Sequence, residues 1–110
     1  MAFSKAPLYT PKDQITSGYA RALSHPARLE IIRKLSNEGT CTVKALNLAQ
    51  PISQEAMSYH LKILRKAQLV SCKEKFPHTY YSLEKENLIA AKQKLEAFFQ
   101  IVICDLNPNK

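Results

Sequence analysis

The chain predicts a mainly α-helical fold with a small β-hairpin, in which the helices pack on a short three-stranded sheet. Three observations point there. Apolar residues recur at helical spacing in several separate stretches. Two short strand-like runs, Leu69–Lys75 and Thr79–Leu83, flank Phe76-Pro77-His78. A short helical stretch is joined through Gln50-Pro51 to a longer, well-capped amphipathic one.

At 110 residues the chain fits a single domain with a modest core. We expect an arm over 1–12, a folded unit over 13–106 and a tail over 107–110. The arm carries Pro7 and Pro11 and little periodicity. Ile15, Tyr19, Ala22 and Leu23 then follow at i, i+4, i+7 and i+8, one face of a helix. His25-Pro26 breaks it, with Pro26 suited to the first position of a second helix and His25 as its cap. Leu29, Ile32 and Leu35, with Ile31 beside them, give that helix its apolar stripe, and Gly39 ends it. Thr40–Val43 is largely β-branched and reads as a short strand. Val43, Leu46 and Ala49 mark a brief helix.

The next segment has the clearest local grammar. Ser53 is a good N-cap, and Ile52 and Met57 hold the two positions of a hydrophobic staple. Met57, Leu61 and Leu64 recur at i, i+4 and i+7, with Ala67 below them. Gln54, Glu55, Ser58, Tyr59, Lys62, Arg65 and Lys66 occupy the opposite face. After the hairpin, Leu88, Leu95, Phe99, Val102 and Leu106 are spaced by 7, 4, 3 and 4, a heptad-like seam on a long last helix. That stripe is either core or a dimer seam, and its length favours the dimer.

Charge narrows the function. Between Arg21 and Lys75 ten basic residues stand against four acidic ones, whereas the two ends together carry only +1. A polyanion partner accounts for this, with a solubility surplus as the alternative. A short helix turned tightly onto a helix with one apolar stripe and one polar face is the helix-turn-helix arrangement, and the hairpin makes it a winged one. The polar face suits double-stranded DNA. Gln54 can bond adenine, Ser53 and Ser58 can bond bases or phosphates, and Lys62, Arg65 and Lys66 can reach the backbone. Lys73, Lys75 and His78 would contact flanking phosphates from the wing. His60 would bond a phosphate or tie the helix to its neighbours. Tyr80 and Tyr81 would pack the wing.

Taken together, Ala22-Leu23-Ser24-His25-Pro26-Ala27-Arg28-Leu29-Glu30-Ile31-Ile32 and Ile52-Ser53-Gln54-Glu55-Ala56-Met57-Ser58-Tyr59-His60-Leu61-Lys62-Ile63-Leu64 resemble the second helix and the recognition helix of the arsenic-repressor (ArsR-type) family. Ala67-Gln68-Leu69-Val70 and Tyr80-Tyr81-Ser82-Leu83 resemble the ends of its wing. The resemblance runs over roughly 15–106. It implies a homodimer joined through the first and last helices, with Ile15, Tyr19, Leu88, Leu95, Phe99, Val102 and Leu106 in the interface. It also implies a pseudo-palindromic operator, repression by occluding a promoter, and release by an effector.

The family's metal positions are not filled. The thiol pair of one site aligns with Thr42-Val43-Lys44, and the last helix has Asp105 but no histidine. We therefore expect no metal and no other cofactor. Three cysteines at irregular spacing, with no signal-like or membrane-spanning stretch, fit a reducing cytoplasm. Cys41 and Cys72 lie on strands that could pair, which leaves a thiol-responsive repressor as one alternative. A protein-interaction module reusing the same fold is another. An enzyme is not expected, since there is no nucleophile–base set, phosphate-cradling loop or catalytic carboxylate pair.

Overall fold

The first helix opens where Thr10 accepts the Asp13 N–H on its hydroxyl and Pro11 takes the first helical position. In the computed structural model, which describes residues 8–106, eight elements follow: α1 (Pro11–Ala22), α2 (Pro26–Glu38), β1 (Thr40–Thr42), α3 (Val43–Ala49), α4 (Gln54–Lys66), β2 (Val70–Lys75), β3 (His78–Leu83) and α5 (Lys85–Asp105). The arm expected over 1–12 thus yields Pro11 and Lys12 to α1. The rest of the arm before Leu8 and the tail 107–110 lie outside the described residues.

The breaks are set by caps. His25 Nδ1 accepts the Ala27 N–H at the start of α2, and Gly39, at φ 87°, closes its end. That left-handed backbone favours glycine. Ser53 Oγ accepts the Ala56 N–H to open α4. Its far end is a Schellman turn: the Gln68 N–H bonds Arg65 O and the Leu69 N–H bonds Leu64 O, with Gln68 at φ 63°. Leu69 therefore belongs to the turn, and the strand expected from Leu69 starts at Val70. The hairpin loop shortens to Phe76-Pro77, because His78 already pairs with Lys75.

The sheet is antiparallel in the order β1-β3-β2. Its registers set Cys41 and Cys72 on either side of Tyr81. Two strand spacings, about 10 Å, then separate the two cysteines, well past the roughly 7 Å that a disulfide tolerates between Cα atoms. The pairing considered for Cys41 and Cys72 is excluded in this fold, because β3 lies between their strands.

The core gathers Ile31 and Leu35 from α2, Leu46 from α3, Met57, Leu61 and Leu64 from α4, and Leu69 and Val70 at the base of the wing. Burying each such side chain contributes about 1.5–3 kcal/mol. The stripe expected on α2 is rotated. Ala27, Arg28, Ile31 and Leu35 face inward, while Leu29 is exposed and Ile32 half-buried. Helix α1 packs against α5, and α5 buries only Ala91 completely.

Candidate nucleic-acid interface

Helix α4 is anchored from behind and bare in front. Met57, Leu61 and Leu64 are sealed in the core, while Gln54, Glu55, Ser58, Tyr59, Lys62, Arg65 and Lys66 are all exposed. The turn before it is tied down from two sides. Asn47 Nδ2 donates to Ile52 O at 2.9 Å, and Gln50 Nε2 donates to Ala27 O at 3.0 Å. These bonds fix the angle at which α4 leaves α3. Glu55 lies in the first turn, where the helix dipole favours an acidic group.

His60 departs from that face. It is 7% exposed, and its Nδ1 lies 2.9 Å from the Arg28 guanidinium. Of the two roles considered, tying the helix to its neighbours fits this position, and contact with a phosphate does not. Ser53 spends one lone pair of its oxygen on the cap and keeps its hydroxyl hydrogen and a second lone pair for a ligand.

The strands sort the wing chemically. Directly paired residues share a face. Lys73 with Tyr80 and Lys75 with His78 therefore line one face, together with Ser71 and Ser82. Val70, Cys72, Tyr81, Leu83 and Cys41 line the other, which turns toward the core. Burial, with Glu38 adding to it and Lys34 opposing, pushes the Cys41 thiol above its ordinary pKa. Burial also raises Tyr81, with Cys72 the next contributor. Neither group is set up to ionise near neutrality. Tyr80 and Tyr81 are both half-buried in the wing.

Helix and wing meet in an open cleft of about 850 Å³. Lys62, Arg65 and Lys66 contribute one side, and Ser71 and Cys72 contribute the other. The cationic end of α4 and the base of the wing thus form one concave surface, which spacing along the chain could not show.

The other sequence-derived residues lie elsewhere. Ile15, Phe99 and Val102 are exposed on α1 and α5 and Leu106 at the α5 C-cap, whereas Tyr19 and Leu88 pack on the core and Leu95 is half-buried. Phe98, Ile101 and Ile103 are exposed as well. A single heptad stripe missed them because it selects one side of a helix whose C-terminal half is apolar on several. Arg28 was also missed, although its spacing from Ile31 and Leu35 marks it as inward-facing.

A helix-turn-helix domain family model matches residues 23–72. The chain is 37% identical over 68 residues to the arsenical resistance operon repressor of Bacillus subtilis, a match covering 62% of this chain and 65% of that protein. It is 32% identical over 79 residues to the HTH-type transcriptional regulator Rv2034 of Mycobacterium tuberculosis, covering 72% of this chain and 73% of the relative. The chain belongs to the ArsR-type family. Among solved structures, an ArsR-like transcriptional regulator from Rhodococcus sp. RHA1 superposes with a TM-score of 0.72 at 22% identity, covering 83% of this chain and 85% of that one. At that identity the likeness speaks for the fold alone, and the fold is the winged helix of ArsR-type regulators. Such a family and fold are those of regulators, not of enzymes. No helix among the described residues is long and apolar enough to cross a membrane.

Proposed function

We propose that the chain is a homodimeric, sequence-specific DNA-binding repressor that lays α4 in the major groove of a pseudo-palindromic operator and blocks the promoter there. The observation that carries this is the division of α4. Its apolar side is locked into the core, and its outer side offers Gln54, Ser58 and Tyr59 toward base edges and Lys62, Arg65 and Lys66 toward the backbone. The cleft shared with the wing continues the basic surface, and Lys73, Lys75 and His78 extend it on one face of the hairpin. The exposed apolar side chains of α1 and α5 support pairing with a second copy. The family's metal positions support a regulator without those sites, since Thr42-Val43-Lys44 supplies no thiols and α5 no histidine.

The test is selection of bound duplexes from a random pool, followed by titration of the enriched sequence at several salt concentrations. A symmetric motif should emerge, bound with a steep inverse salt dependence. Absence of binding at low salt would overturn the proposal.

A further inference from the structure

Arg28 is a buried cation whose hydrogen bonds go to neutral groups. Its side chain is 6% exposed. Its Nε donates to Ala22 O at 3.0 Å. One terminal nitrogen donates to Arg21 O at 3.1 Å and to Ser24 Oγ at 3.2 Å, and the other lies 2.9 Å from His60 Nδ1. No carboxylate pairs with it among the described residues. The carbonyls of Arg21 and Ala22 belong to the last turn of α1, where the helix dipole is negative and favours a cation. Arg28 thus closes the end of α1 from α2 and extends its last arm to α4.

A guanidinium only donates. His60 Nδ1 must therefore present a lone pair, which assigns the neutral ring with its proton on Nε2. The ionisable groups around this ring are Arg28 from α2, His25 from the α1–α2 turn at 4.4 Å between ring centroids, and Tyr59 beside it on α4. His25 is committed too, because its Nδ1 accepts the Ala27 N–H at 3.0 Å.

We infer that Arg28 and His60 are a positioning pair that sets the seating of α4 against α1 and α2, so that the DNA-reading arrangement requires His60 uncharged. The inference rests on the DNA-reading role proposed above. Apolar contacts from Met57, Leu61 and Leu64 hold α4 in place but are non-directional. The bond from Arg28 is directional, and it lies beside Ser58 and Tyr59 on the reading half of the helix. Because α1 packs on α5, the same arginine links the reader to the helices proposed to hold the dimer together. Protonating His60 would exchange its acceptor for a donor and set two cations face to face.

Burial is the main cause that lowers the His60 pKa, and His25 and Arg28 push the same way. The sign follows. The unfolded side chain titrates near 6.5. Above that pH both states are neutral and the pair contributes in full. As pH falls below it, the unfolded state takes up the proton first, and the contribution is lost progressively down to the folded pKa.

The test measures operator and non-operator affinity by fluorescence anisotropy at fixed ionic strength, from pH 7.5 to 5.5. It is run in a His78→Gln background, which removes the wing's histidine at some loss of affinity. His60→Asn places an amide oxygen near the position of Nδ1, whereas His60→Gln places it near Nε2. The parent should lose operator affinity relative to non-operator duplex as pH falls toward 5.5, by less than the about tenfold that a histidine titrating at 6.5 would give there. His60→Asn should restore binding at low pH, and His60→Gln should be weak throughout. A pH profile unchanged by His60→Asn, or equal behaviour of Asn and Gln, would overturn the inference. If no duplex is bound at pH 7.5, the DNA-reading role fails instead. The pair is then read from urea midpoints, which should fall with pH in the parent and stay level in His60→Asn; equal slopes would overturn it.

Discussion

Gln54 and Ser58 stand one helical turn apart on the exposed side of α4, while Lys73 and Lys75 stand two residues apart on the wing. Their removal should have different consequences. Gln54→Ala or Ser58→Ala should cost about 1–3 kcal/mol against the preferred operator and little against other duplexes, measured as a ratio of affinities. Lys73→Ala or Lys75→Ala should weaken all duplexes alike and lower the slope of log K against log salt by about 0.9 per lost phosphate contact. Ser53→Ala should lower stability by about 1 kcal/mol in urea, because the Ala56 N–H loses its acceptor. The capping and outward-facing residues of α4 were legible because each follows a local rule of composition and spacing. His60 was legible only as an ambiguity. Its residue type fits either a phosphate contact or a tie, and only the position of Arg28, thirty-two residues earlier, separates the two.

At the scale of elements, α3, α4 and the hairpin follow from caps, staples and turn residues, which are short-range signals. The strand order does not. Nothing local in Cys41 or Cys72 says that β3 runs between them, since that order arises from tertiary pairing. An oxidant such as diamide should therefore produce no Cys41–Cys72 disulfide in the folded chain, checked by peptide mapping without reductant. Cys41, buried and raised in pKa, should be alkylated more slowly than exposed Cys104 until urea unfolds the domain. Appearance of the bridge under native conditions would contradict the β1-β3-β2 sheet. The α2 stripe shows the same limit. Helical spacing alone admitted Leu29, whereas the fold turns Arg28 inward, because a guanidinium can end a neighbouring helix and an isobutyl group cannot.

For the whole molecule, the apolar surface of α5 is the feature on which the proposed dimer rests. The helix has 21 residues, about 31 Å, and its second half exposes Phe98, Phe99, Ile101, Val102 and Ile103, with Leu106 exposed at its C-cap. Phe99→Glu and Val102→Glu should shift the proposed dimer to monomer in sedimentation experiments. They should also abolish tight operator binding, because one α4 reads only half a symmetric site. Unfolding midpoints of the two variants, measured at low concentration, should change little, since both positions lie on the exposed end of α5. A monomeric parent chain would overturn the assembly. The apolar stripe could be read from the sequence because heptad spacing survives without tertiary context. Its breadth could not, because exposure on several sides of a helix depends on how little of the remaining fold lies against it.

The hairpin has a polarity that its charge count conceals. Lys73, Lys75 and His78 fall on one face only because the strand alternates and the register pairs Lys75 with His78. A single residue inserted between Cys72 and Lys73 would reverse the parity of everything beyond it, turning Glu74 outward and both lysines toward Cys72 and Tyr81. Two inserted residues would restore the order and merely lengthen the strand. Length changes in this wing should thus be tolerated by even steps and rejected by odd ones, a parity rule written by the pleat and not by any one side chain.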